Sequence, residues 1–185
     1  MTNRLPLLGR EQIEPSLLEL PAYQRSKGPE PFNIYRTLAH HPAMVRQWLE
    51  FADALRFEAK LSGRDRELLI LRTGVNCHCE YEWGQHVPYA RASGVSEEEL
   101  LALHRPIESH PWAANERALL LAADELHATS DLSEETWRQL SKRYANDELI
   151  EVIMLVGQYH LVSFALNSFR VERDAGLEPF PSSSE

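Results

Sequence analysis

A chain of 185 residues, 43% hydrophobic and 25% charged, is long enough for one domain with a real core, and its composition excludes fibrous and disordered classes. Its formal charge of −9, without any stripe of lysines or arginines, excludes nucleic acid as an expected partner. Charged residues and prolines break up the opening "MTNRLPLLGREQIEPSLLELP", so no signal-peptide core forms there, and a cytoplasmic protein without a membrane partner is expected.

Five of the eleven prolines fall in the first 31 residues. Residues 1–39 are therefore expected to form an irregular arm, with at most a short helix around Ser16 to Leu20, of the kind that packs on a neighbouring subunit. Residues 40–176 carry the helical domain, and 177–185 a flexible tail. Pro42 suits the first turn of a helix running through "AMVRQWLEFADALRFEAKL", whose Met44, Val45, Trp48, Leu49, Ala52, Leu55 and Ala59 keep a helical stripe. Ser62 with Asp65 signals a cap that opens "RDRELLILRTGV". The next helix carries Pro88, and Gly84 four residues before it marks a plausible kink. Ser96 and Glu99 form a capping box. Further helices are signalled by "ANERALLLAADELHA", "SEETWRQLSKRYA" and the segment after Asn146. The span Leu149 to Phe169 approaches membrane length, but Glu151, Gln158, His160 and Asn167 make it a better buried helix. No stretch alternates with period two, so the fold is expected to be all α.

The only two cysteines lie in "GVNCHCEYEWGQH", residues 74 to 86. On a helix over 79–90, at about 100° per residue, Cys79, Glu82, Trp83, His86 and Ala90 share one face. Glu80 and Gln85 fall on the other side, and Tyr81 points away. Glu67 precedes an apolar run that would carry it inside, and a buried carboxylate costs several kcal/mol unless it is paired or protonated. His86 or Cys79 on the following helix is its natural partner, and such a cluster suits general acid/base work. Plainer readings stand beside these: Glu82 and His86 as a surface pair, Cys79 as a small buried hydrophobe, Trp83 as core. Tyr159 and His160 are candidates to line a pocket, with Cys77, Tyr81 and Trp83 as secondary members. A zinc reading would use Cys77, Cys79, His86 and His160, but cysteines one residue apart fit structural zinc poorly, so neither metal nor cofactor is expected.

"RELLIL", the twelve-residue step from Glu67 to Cys79, "CEYEWGQH", "ARASGVSEEEL" and the closing "DELIEVIMLVGQYHLVSFALNSFRVE" resemble the carboxymuconolactone decarboxylase family, which includes the AhpD-like alkylhydroperoxidases. The resemblance covers roughly residues 40 to 173. It implies an all-α, AhpD-like helical bundle that forms homo-oligomers and binds a small-molecule substrate near subunit interfaces. In the peroxidase branch two cysteines separated by two residues are followed by a histidine. Here Cys79, His86 and Glu67 match, while Glu82 stands in the second cysteine's place and Tyr81 in that of the histidine between the paired cysteines. In the decarboxylase branch a Glu precedes a His by four residues, as Glu82 precedes His86. The resemblance therefore implies acid/base chemistry by His86 with Glu82 or Glu67 on a carboxylated or lactone substrate. The alternative is a peroxidase in which Cys79 attacks a hydroperoxide and an external thiol resolves the sulfenic acid, since a disulfide to Cys77 would be strained. A helical oligomer that binds a small ligand without turnover is the third possibility.

Overall fold

The computed structural model describes residues 3–26 and 28–182. Among them ten α-helices follow in order: α1 (Pro15–Leu18), α2 (Pro21–Gln24), α3 (Asn33–Leu38), α4 (Pro42–Asp53), α5 (Gly63–Asn76), α6 (Glu80–Ala92), α7 (Glu97–Ala102), α8 (Ala114–Thr129), α9 (Glu134–Ser141) and α10 (Asn146–Phe169). No strand occurs among the described residues, as the sequence pattern predicts.

The helix starts follow from local chemistry. Ser62, Ser96 and Ser133 accept from the amides of Asp65, Glu99 and Thr136 at 3.0, 3.2 and 3.2 Å, which satisfies donors that a helix leaves unpaired at its first turn. Glu99 completes its box by accepting from the Ser96 amide at 2.8 Å. At α4, Pro42 occupies the first turn and His41 Nδ1 accepts from the Met44 amide.

Helix α5 is the axis of the molecule, buried almost continuously from Glu67 to Gly74 and packed on α6, α8 and α10. Its Leu69 and Ile70 meet Leu119, Ala122 and Ala123 of α8 and Val152, Leu155 and Val156 of α10. Leu68 and Leu71 face Trp83 and Val87 of α6. Each buried leucine, isoleucine or valine among them contributes about 1.5–3 kcal/mol through burial. Arg72 adds a polar node: its guanidinium makes two 2.7 Å bonds to Asp124 of α8 and donates to the Leu103 and Arg105 carbonyls. The fork matches the carboxylate, so the charge enters the interior already paired.

Four local features differ from expectation. The N-terminal arm contains α1, α2 and α3, with Pro15 and Pro21 starting helices rather than preventing them. Its Ile13, Leu17, Tyr23 and Tyr35 pack with Val162 and Leu166 of the same chain. The α4 stripe does not continue as α-helix but passes into a π-helical turn, Ala54–Glu58. Helix α6 runs through Pro88, and Gly84 serves another purpose: a Cβ there would lie 2.9 Å from Glu178 O and 3.0 Å from Leu177 Cβ. Finally, residues 177–182 of the expected flexible tail are docked. The Phe180 amide donates to Glu80 Oε1, and its ring packs 5.8 Å from that of Trp83 and 5.0 Å from that of His104. Residues 183–185 of that tail, like 1, 2 and 27 of the arm, lie outside the described residues. By length and composition α10 could cross a membrane, but half of its most apolar window is buried within the fold.

Candidate functional site

Helices α5 and α6 are joined by a turn in which Cys77 ends the first, His78 takes the left-handed conformation at φ 51°, and Cys79 precedes the second. The turn is closed by the Cys77 and Cys79 amides, which donate to Thr73 O and Gly74 O. This folds α6 against α5 and brings Glu67 to His86. His86 Nδ1 stands 2.7 Å from Glu67 Oε2, and both side chains are buried. With Nδ1–H donating to the carboxylate, Nε2 is left free of that bond. It faces Tyr159 Oη of α10 at 3.1 Å and Glu82 Oε2 at 3.6 Å.

The two glutamates are driven apart. Burial raises the Glu67 pKa, but His86, Arg66 and Arg56 outweigh it, and the carboxyl ends below its ordinary range. Glu82 is also raised by burial, and there His86 and Arg56 compensate too little, so it ends above that range. One carboxyl is held ionised behind the imidazole, and the other is biased toward its protonated form in front of it. Such divergence is how acid and base roles are divided between similar groups.

Glu82, His86 and Tyr159 border a cavity of about 70 Å³, also lined by Tyr35, Tyr81, Gln85, Tyr89 and Arg56, while Glu67 lies behind His86 and outside the lining. Ordinary ligand clefts measure about 300–1,000 Å³, so a substrate has to displace side chains at the mouth. Arg56 is the member that sequence reasoning missed. It lies on the π turn, its guanidinium 5.0 Å from the Tyr89 ring centre. Of the carboxylates around it, Asp53 pairs with Arg25 at 2.6 Å and Glu67 with His86, while Glu82 shares the cavity with Arg56. Arg56 thus presents a cation to the cavity. The only sequence signal was a basic residue in a helical stripe, which ordinarily means a solvated face.

The other predicted residues separate. Cys79 does not line the cavity: it stands just before α6, beside Glu82, and is fully buried in the cluster of Val45, Tyr81, Val162 and Leu166. Burial, and next to it Glu82, push its thiol up to about 12. Tyr81, expected to point away, is buried at the cavity edge and donates to Asp174 Oδ2 at 2.5 Å. Gln85 also faces inward and donates to Asp174 at 2.8 Å. Trp83 packs on His104 and Phe180 rather than on the cavity. Cys77 and His160 are also outside it and meet His127 instead. The zinc set considered from sequence is therefore split, with Cys79 and His86 in different surroundings from Cys77 and His160.

The model of the carboxymuconolactone decarboxylase family matches residues 42–125. No curated protein matches the chain. Among solved structures, an uncharacterized peroxidase-related protein from Silicibacter sp. TM1040 gives a TM-score of 0.81 at 15% identity, over 97% of this chain and 96% of that one. An uncharacterized peroxidase-related protein from Ralstonia eutropha JMP134, with an alkylhydroperoxidase AhpD core, gives 0.79 at 18% identity over 94% and 93%. The debrominase Bmp8, as a cysteine-to-alanine variant in complex with 2,3,4-tribromopyrrole, gives 0.75 at 14% identity over 94% and 95%. At these identities the likeness is one of fold.

Proposed function

Since the model of the carboxymuconolactone decarboxylase family matches residues 42–125, we propose that the chain is a member of that family and an acid/base enzyme acting on a small carboxylated or lactone substrate. The observation that carries this reading is the buried chain from Glu67 through His86 to Tyr159, whose last two members share one cavity with Glu82 and the cation Arg56. Arg56 pairs with the anionic group of the substrate, for which a guanidinium fork is well shaped. Glu67 fixes the imidazole through Nδ1, which keeps Nε2 toward the substrate. In decarboxylation the bond to the carboxylate carbon breaks, its electron pair passes into the substrate's conjugated carbonyl system, and carbon dioxide leaves. Protonated Glu82, directly or by way of His86 Nε2, then returns a proton to carbon. The substrate is held by a homo-oligomer in the cytoplasm, and no added cofactor takes part in this step.

A thiol peroxidase is the second reading, favoured by the position of Cys79 at the N-terminus of α6, where the helix dipole supports a thiolate. It is the weaker one, because Cys79 is enclosed by apolar side chains and His86 is bonded to Glu67 and Tyr159 instead.

The test is carbon dioxide release from a panel of small unsaturated lactone and keto carboxylates, run beside peroxide consumption with a dithiol reductant. His86→Gln is expected to lower kcat by about 10²–10⁴-fold, the usual contribution of general acid/base catalysis. Arg56→Gln should act mainly through KM, and Cys79→Ala should leave turnover near wild type. Peroxide turnover that disappears with Cys79→Ala would overturn the acid/base assignment.

A further inference from the structure

A second group of chemically capable side chains lies away from the acid/base cavity. Cys77 closes α5, His127 stands in the last turn of α8 and His160 lies along α10, and one potential ligand atom from each falls within 4.8 Å of the others. His127 Nδ1 is 2.9 Å from His160 Nε2 and 4.0 Å from Cys77 Sγ. None of the three lines the cavity around His86. We propose that Cys77, His127 and His160 bind a single Zn²⁺ ion, leaving a fourth coordination position open to solvent.

The chemistry of the donors fits this ion. Zinc takes thiolate sulfur at about 2.3 Å and imidazole nitrogen at about 2.0–2.1 Å, so donor atoms in a tetrahedral shell stand about 3.3–3.6 Å apart. The observed separations bracket that range, and side-chain rotation closes the difference. His160 is also oriented for the task. Its Nδ1 donates to Val156 O at 2.8 Å, which fixes the tautomer and leaves the Nε2 lone pair toward the other two residues.

The backbone is tied at the same place. Asn167 Nδ2 of α10 donates to Cys77 O, and Asn76 Nδ2 donates to Asp124 Oδ1 of α8, both at 2.8 Å. The turn that presents the thiol is thus fastened to the two helices that present the imidazoles. Asp124 is itself gripped by Arg72. Ser163, one turn after His160, is fully buried, and among the described residues its hydroxyl has no hydrogen-bond partner within normal geometry. It stands beside both Cys77 and Cys79, and is in place to donate to a Cys77 thiolate. Three ligands from three helices, an oriented imidazole and a waiting donor amount to a preorganised site. His127 is exposed, so the ion and its fourth ligand have a route from water.

The full-length protein, stripped with a chelator, would be titrated with Zn²⁺ against a chromogenic competitor and with Co²⁺ as a spectroscopic probe. The expected result is one equivalent bound, a thiolate-to-cobalt charge-transfer band and a higher Tm with zinc. Cys77→Ser should abolish the band and weaken Zn²⁺ by more than about 100-fold, beyond the 10–100-fold cost of losing an outer-shell partner. His127→Gln, at an exposed position near a helix end, tests the same site with little demand on folding and should weaken it comparably. Cobalt binding without the band, or zinc binding unchanged in both variants, would overturn the proposal.

Discussion

Glu67 and Glu82 face the same imidazole and carry opposite consequences for stability. The folded-state pKa of Glu82 lies above its ordinary value because burial penalises its charge. Its contribution to stability is therefore fully present below the unfolded carboxyl pKa, about 4.3, and is lost as pH rises through the folded value. Glu82→Gln is expected to raise Tm relative to wild type at pH 7–8, with the gap closing toward pH 4; a lower Tm at pH 8 would contradict this. Glu67, although burial opposes its charge, is depressed by His86 and the nearby arginines. It stabilises above the unfolded value and loses that effect as pH falls through the folded one. Glu67→Gln should cost about 1–3 kcal/mol at neutral pH, the range for a buried group left poorly partnered, and less in acid. Thermal melts across a pH series measure both. Glu67 and His86 were legible in the sequence because a carboxylate before an apolar run needs a partner. That Cys79 lies outside the cavity lining was not legible, because periodicity cannot tell the residue before a helix from the first residue inside it, and Arg56 was missed because its direction depends on a π turn.

At the scale of elements, local signals did well and long-range ones left no trace. Serine caps and proline starts located α4, α5, α7 and α9, since those groups act on amides only a few residues away. The π turn at Ala54–Glu58 interrupts no apolar spacing, so the stripe through Leu55 looked like continuous helix. Docking of residues 177–182 depends on Phe180 reaching Trp83 and His104, contacts for which neither segment carries a local signal. Gly84 is where that docking is most constrained, because α6 approaches the Glu178 carbonyl there without room for a side chain. Gly84→Ala is expected to destabilise the protein by about 1–3 kcal/mol, as overpacking does, despite the better helix propensity of alanine. A Tm at or above that of wild type would show that the C-terminal segment shifts without cost.

For the whole molecule, α10 stands out for the apolar side chains it leaves exposed. A helix apolar on all sides belongs in an interior. Yet Ile150, Met154, Leu161 and Phe164 are 63%, 44%, 55% and 62% exposed, and Gly157 lies open among them. We propose this stripe as the contact of a homo-oligomer, with the glycine allowing close approach of another helix. Phe164→Glu should shift the protein toward monomer in size-exclusion chromatography with light scattering; an unchanged mass would place the contact elsewhere. The same helix carries consecutive residues with different duties, Tyr159 touching His86 in the cavity and His160 touching His127 outside it. A ligand that alters the rotation of α10 at one of these residues alters it at the next. If zinc changes substrate affinity by some factor, substrate must change zinc affinity by the same factor, because the two binding steps close one thermodynamic cycle. Titrating zinc with and without a bound substrate analogue would measure that reciprocity from the side on which no reaction has to be observed.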